Sequence, residues 1–208
     1  MKERFGLYLI ATNPVAGYEA LANAAVKCGV RYLQLRMKGE PREYHAATAR
    51  LFREITRNTE TRFIVNDELP IAMEVDADGI HLGQSDLSIA EAQARWSAPG
   101  KLFGLSTHSM EQAQAALALQ PDYIGIGPVY PTRTKTDADP ALGPDEVGRI
   151  ARNTPLTSVA IGGIAAGNLP PLLQAGADNY CVVNAVNADA DPESAIRNLQ
   201  KIWKKHGF

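Results

Sequence analysis

The chain has 208 residues, 45% of them hydrophobic and 21% charged, with a formal net charge of −2; that is enough apolar material for one large core, and a single domain over residues 1–208 is the natural expectation. The near-neutral balance argues against a nucleic-acid surface or an anionic membrane partner. No apolar stretch approaches the roughly 18 residues of a membrane span, and Met1-Lys2-Glu3-Arg4-Phe5 lacks the apolar region of a secretory signal, so a cytoplasmic protein is expected.

From its start the chain alternates short, apolar, often β-branched runs with segments of helical period. The first strand is predicted at Leu7–Ala11. A helix follows with Leu21, Ala24, Ala25 and Cys28 on one face and Gly29 at its end. The second strand is predicted at Tyr32–Arg36 and runs into Met37-Lys38. Alternation sends Gln34, Arg36 and Lys38 to one side and Met37 to the other. Two cations there suit a polyanion such as diphosphate, though a salt-bridged loop would look the same.

The third strand is predicted at Arg62–Asp67 and ends in Asn66-Asp67, before a short helical crossover at Leu69–Val75. The fourth, Gly79–Leu82, contains His81 and leads into Gly83-Gln84-Ser85-Asp86. Asp67 and Asp86 thus leave neighbouring strands on one face. Magnesium is held by one or two carboxylates with waters and phosphates, so the pair suits a metal-diphosphate site; each could instead cap a helix. His81 reads either as a barrel-lining residue or as a polar contact to a ring near Gln34. Ser88-Ile-Ala-Glu91 is a capping box for the fourth helix, and Trp96 reads as packing.

The fifth strand, Leu102–Ser106, is followed by Thr107 and by a second predicted capping box, Ser109-Met-Glu-Gln112. After the sixth, Tyr123–Gly127, a long loop runs to Gly143 and carries Thr132, Thr134 and Lys135, groups able to hold phosphate oxygens. Its length points to function, with a lid role expected. The seventh strand, Ser158–Gly162, ends on Gly162-Gly163, and the eighth, Asn179–Val183, leads into Asn184. Asp191-Pro192 opens the last helix, whose buried stripe is Ile196, Leu199, Ile202 and Trp203. Cys28 and Cys181 read as buried free thiols.

Eight strand–helix units predict an α/β chain closed as a single (β/α)8 TIM barrel. An open doubly wound sheet would use the same units, but no GxGxxG follows the first strand. In a barrel the site lies at the C-terminal strand ends. There the sequence offers a metal-diphosphate half, from strands two to four, and a monophosphate half after strands seven and eight.

The chain resembles the thiamine phosphate synthase family over nearly its whole length. The matching segments are Gln34-Leu-Arg-Met-Lys38, Phe63-Ile-Val-Asn-Asp67, Ala77-Asp-Gly-Ile-His-Leu-Gly-Gln84 with Asp86, and Gly104-Leu-Ser-Thr-His108. Further along are Asp122-Tyr-Ile-Gly-Ile-Gly-Pro-Val-Tyr-Pro-Thr132, Thr134-Lys135, Ala160-Ile-Gly-Gly-Ile164 and Ala175-Gly-Ala-Asp178. The resemblance implies that hydroxymethylpyrimidine diphosphate and thiazole phosphate join to give thiamine phosphate and diphosphate, with Mg2+ as cofactor. It implies that Arg36, Lys38, Asn66 and Lys135 hold the diphosphate and that Asp67 and Asp86 hold the metal. Ser106 falls where the family contacts the pyrimidine, with Gln34 and His81 as further candidates. Thr132 and Thr134 resemble the loop hydroxyls on phosphate. Gly163, Val183 and Asn184 fall where thiazole phosphate is bound, largely by backbone N–H groups.

Three positions depart from the pattern. Met37 stands where many members carry a charge, Asn184 replaces a common serine, and Ile10-Ala-Thr-Asn13 replaces an Ile-Thr-Asp run. A thiazole tautomerase on the same barrel is the nearest rival, but it needs no metal or diphosphate half. A non-catalytic thiamine phosphate-binding protein is a second rival, and a different phosphate-binding barrel enzyme is a third, because a barrel does not by itself fix function. A homo-oligomer is compatible with the sequence.

Overall fold

Residue alternation within the strands sets the architecture. In a computed structural model, which describes residues 2–132, 134 and 139–206, all eight strands run parallel and close in sequence order into a barrel. They are β1 (Leu7–Ala11), β2 (Tyr32–Leu35), β3 (Arg62–Asn66), β4 (Gly79–Leu82), β5 (Leu102–Thr107), β6 (Tyr123–Ile126), β7 (Thr157–Ile161) and β8 (Asn179–Val182). Closure excludes the open doubly wound sheet. One parity of residues, including Tyr8, Ile10, Tyr32, Ile64, Tyr123, Val159 and Cys181, packs inside the barrel. The other parity, including Leu9, Leu33, Phe63, Val65, Leu82 and Ile124, joins the larger apolar cluster under the helices. Strands buried on both faces need this largely apolar composition.

The helices are α1 (Tyr18–Lys27), α2 (Arg42–Thr56), α3 (Leu69–Glu74), α4 (Ile89–Arg95), α5 (Met110–Leu119), α6 (Pro144–Asn153), α7 (Leu169–Gln174), α8 (Asn184–Asn187) and α9 (Pro192–Lys205). The Ser88–Glu91 capping box is complete, and Asp191 caps α9 by accepting the Ser194 N–H. The second box is only half formed. Ser109 accepts the Gln112 N–H, but Gln112 Oε1 takes the N–H of His108 instead of Ser109, at 2.7 Å. Among the described residues no helix is long and apolar enough to cross a membrane.

Several predicted boundaries shift by one residue. β2, β3, β6, β7 and β8 end before Arg36, Asp67, Gly127, Gly162 and Val183, while β5 runs on through Thr107 and β7 begins at Thr157. Asp67 and Gly162 have φ of 61° and 107°, so the backbone has already left the extended region there. The third crossover helix stops at Glu74, with Val75 as its cap. Cys181 is buried inside the barrel, but Cys28 is only half-buried, because it caps α1 beside α9 instead of lying in its buried face. Trp96 is buried against Phe103, and Trp203 is half-buried against Gly6.

The barrel seam joins β1 to β8. At its base the Asn179 Oδ1 accepts the N–H groups of Phe5 and Gly6. Near its mouth Asn187, on α8, accepts the Thr12 N–H and donates to the carbonyls of Ile10 and Val183.

Candidate active site

The C-terminal strand ends surround a cavity of about 830 Å3. Of the residues singled out in the sequence, Gln34, Arg36, Lys38, Asn66, Asp67, His81, Asp86, Ser106, Thr132, Thr134, Gly163, Val183 and Asn184 all line it. Lys135 lies outside the described residues.

One wall is charged. Lys38 Nζ sits 2.8 Å from Asp67 Oδ2. Asp67 follows β3 with a left-handed backbone, and its N–H donates to the His81 carbonyl on β4. A side chain other than glycine or asparagine/aspartate is disfavoured there. The turn after β4 brings Asp86 within hydrogen-bonding reach of Asp67, and Asp86 Oδ2 accepts the Gly83 N–H at 2.7 Å. Burial raises the Asp67 pKa above the usual carboxylate range; Asp86 adds to this and Lys38 opposes it. Burial also pushes Asp86 upward, but the Gly83 N–H, Asp67 and Lys38 outweigh it and leave its pKa low. Among the described residues no group of three or more histidine, cysteine or acidic side chains could hold a metal. Two carboxylates on one cavity wall, Asp67 and Asp86, are a donor set that would suit a cation filling its remaining positions with water and phosphate oxygens, as magnesium does. A smaller cavity of about 380 Å3 continues from this wall past Glu40, Arg42 and His45.

The floor is a polar chain through the barrel. Gln34 Nε2 donates to the Tyr8 hydroxyl at 2.8 Å, and that hydroxyl lies 2.8 Å from the Tyr123 hydroxyl. Tyr123 Oη is 3.2 Å from His81 Nδ1, and His81 Nε2 is 2.9 Å from Ser106 Oγ. Desolvation lowers the His81 pKa to about 4, with Asp86 acting weakly against it, so the ring is neutral near pH 7. Gly104 of β5 makes room for this chain: a Cβ there would lie 2.6 Å from His81 Nδ1 and 2.5 Å from Tyr123 Oη. His81 is thus both barrel-lining and linked to Gln34, through two tyrosines that the sequence does not single out. Strand parity is the signal that could have found them, since a tyrosine inside a barrel must find its hydroxyl a partner.

The opposite wall is backbone. Gly162 and Gly163 have φ of 107° and 63°, and a Cβ on Gly163 would lie 2.6 Å from the Pro131 carbonyl oxygen. Beyond β8, Val183 caps the short α8, which is absent from the sequence-based expectation; its four residues are too few for a periodic signal. The first N–H groups of a helix lack intrahelical acceptors, and Val183, Asn184 and Ala185 at this turn line the cavity. The loop after β6 is anchored at both ends, by Val129 and Tyr130 N–H groups on the Ile161 and Gly162 carbonyls and by Leu142 and Gly143 on Pro128 and Val129. Thr132 and Thr134 lie between, their hydroxyls 3.4 Å apart. His108 Nδ1 meets the Gly127 carbonyl at 2.7 Å, and its Nε2 lies 3.5 Å from Asp139 on the returning leg. Met37 is absent from the lining of the larger cavity and packs in the core, at the edge of the smaller one.

A closed parallel barrel with cations, paired carboxylates and glycine-edged loops at one mouth defines a (β/α)8-barrel enzyme whose site is at the C-terminal face. The model of the thiamine monophosphate synthase family matches residues 7–186. The chain belongs to that family. It is 37% identical over 205 residues to the thiamine-phosphate synthase of Geobacillus thermodenitrificans, covering 96% of this chain and 92% of the relative. It is 37% identical over 206 residues to that of Methanocella arvoryzae, covering 98% and 97%. The solved thiamine phosphate pyrophosphorylase of Pyrococcus furiosus superposes with a TM-score of 0.86 at 30% identity, covering 98% of each chain.

Proposed function

We propose that this chain joins hydroxymethylpyrimidine diphosphate to thiazole phosphate, giving thiamine phosphate and diphosphate. The observation that carries the reading is one cavity with a cation–carboxylate wall, Lys38 against Asp67, facing a wall of glycine backbone at Gly162–Gly163. Family membership supplies the reaction, and the two walls suit two phosphorylated substrates of different charge.

On this reading Arg36, Lys38 and Asn66 hold the diphosphate. Lys135 is assigned there by the family resemblance alone. Asp67 and Asp86 would hold Mg2+, which supplies positive charge to a leaving diphosphate. Gly163, Val183 and Asn184 receive the thiazole phosphate through N–H groups, and Thr132 and Thr134 add hydroxyls. Gln34, His81 and Ser106 orient the pyrimidine. The C–O bond at the pyrimidine methylene breaks as charge passes to the departing diphosphate. The aminopyrimidine ring delocalises the resulting cation, and the thiazole nitrogen attacks it. The protein supplies positioning and stabilisation of departing charge, with no strong base required.

The test is to incubate the protein with both substrates and magnesium and to follow thiamine phosphate and diphosphate. Equimolar formation of the two products is expected. No product from folded protein overturns the reading. Chelation should abolish turnover and added magnesium restore it; full activity in excess chelator removes the metal from the account.

A further inference from the structure

The chain from Gln34 to Ser106 has a direction. Gln34 Nε2 is the donor to Tyr8, and Gln34 Oε1 is buried without a hydrogen-bond partner among the described residues. The Tyr8 hydroxyl, having accepted from Gln34, has one proton to give, and Tyr123 Oη at 2.8 Å receives it. Tyr123 then gives its own proton to His81 Nδ1. A neutral imidazole accepting at Nδ1 carries its proton on Nε2, and that proton goes to Ser106 Oγ at 2.9 Å. Ser106, having accepted, keeps its hydroxyl proton for the cavity it lines. Burial drives the Tyr8 and Tyr123 pKa values upward, so neither hydroxyl loses its proton.

The opposite direction is not equivalent. With Ser106 donating to His81 and Tyr123 donating to Tyr8, Tyr8 would receive two protons and have no acceptor for its own. A buried donor left unmade is costly. The chain reverses only if the Gln34 amide also turns over, so its two ends change together.

We propose that Tyr8, Tyr123 and His81 are positioning residues that hold His81 as its Nε2–H tautomer and so present an acceptor, Gln34 Oε1, and a donor, the Ser106 hydroxyl, to a ring in the cavity. The matching ligand is a heteroaromatic ring with an amino group to donate and a ring nitrogen to accept. This deepens the reading given above, on which that ring is the aminopyrimidine. Discrimination would come from leaving a polar group unpaired, the strongest means a site has of refusing an isostere.

Two measurements test it. The first is 15N NMR of histidine-labelled protein without ligand near pH 7, with the His81→Gln variant assigning the signal. A protonated Nε2 and unprotonated Nδ1 are expected; an Nδ1–H tautomer or an even mixture overturns the proposal, whatever the substrate is. The second uses Tyr123→Phe, which removes the link between Tyr8 and His81. Binding of hydroxymethylpyrimidine diphosphate should weaken about five- to tenfold, with His81 losing its single tautomer. Its analogue lacking the amino group should weaken less, and thiazole phosphate not at all. Equal losses for all three ligands, or none, overturn the positioning role. Tyr8→Phe breaks the same chain one link earlier and serves if Tyr123→Phe does not fold. Failure of wild-type protein to bind the pyrimidine diphosphate would count against the proposed function, while the tautomer would still be read.

Discussion

Lys38 Nζ lies 2.8 Å from Asp67 Oδ2, so one proposed diphosphate ligand is paired with one proposed metal ligand before either meets its target. A metal-bound diphosphate brings both a cation for Asp67 and an anion for Lys38, and the pair exchanges partners without leaving a charge unmatched. Lys38→Met should therefore slow single-turnover coupling by about 10–150-fold, the loss of one charge-assisted contact of about 1.5–3 kcal/mol. Thiazole phosphate affinity, measured by titration, should stay unchanged. An unaltered single-turnover rate would remove Lys38 from the chemistry.

His81 carries a pH signature. Its pKa is lowered to about 4 in the fold, against 6.5 for the ordinary side chain. Between those values the unfolded chain binds the proton and the folded chain does not. Its contribution is therefore fully present above pH 6.5 and declines as pH falls toward 4, by at most about 1.4 kcal/mol per pH unit. Urea midpoints of the wild type and of His81→Gln, compared from pH 7.5 to 4.5, should show a shallower fall for the variant. Parallel curves would contradict the assignment.

Gly104→Ala should cost about 1–3 kcal/mol of stability, as overpacking of a filled interior does. A Cβ there would lie 2.6 Å from His81 Nδ1 and 2.5 Å from Tyr123 Oη, and ring atoms fixed by strands cannot step aside. Thermal and urea unfolding measure the first effect. A second effect, displacement of His81 and Tyr123 by that Cβ, shows as loss of pyrimidine diphosphate binding in protein that is still folded. An alanine variant as stable as the wild type would show that the interior is looser than this spacing implies.

Asn184 separates side chain from backbone. Asn184→Ser should change thiazole phosphate affinity by less than about 1 kcal/mol, roughly fivefold, if backbone donors do the holding. Asn184→Pro removes the N–H itself and should weaken binding much further. Circular dichroism checks that the proline variant remains folded. A hundredfold loss with serine and normal binding with proline would assign the contact to the amide side chain.

The fold was legible because parallel strands covered on both faces are written as largely apolar runs, as at Leu7–Ala11 and Tyr123–Ile126, and because Ser88 and Asp191 mark helix starts by chemistry. The charged wall was legible because Arg36, Lys38, Asp67 and Asp86 fall just past strand ends, where polar residues have no packing role. The Gln34–Tyr8–Tyr123–His81–Ser106 chain was not, because its members come from β1, β2, β4, β5 and β6 and meet only once the barrel closes. Gln112 illustrates a subtler limit: the spacing from Ser109 is that of a capping box, yet its amide serves His108 one residue earlier.

The asparagine clasp across the β1–β8 seam bears on how the chain comes together. Asn187 reaches the Ile10 carbonyl, 177 residues back along the chain. Until that final stretch exists, β1 has β2 on one flank and an open row of N–H and C=O groups on the other, a template for any stray extended segment. A contact spanning most of the sequence is slow to make, since its loop-closure entropy must be met before the contact returns anything. A growing chain on the ribosome thus exposes an open edge longest at the strand made first, and pairing with β8, clasped at its two ends by the amides of Asn179 and Asn187, is what finally removes that edge from reach.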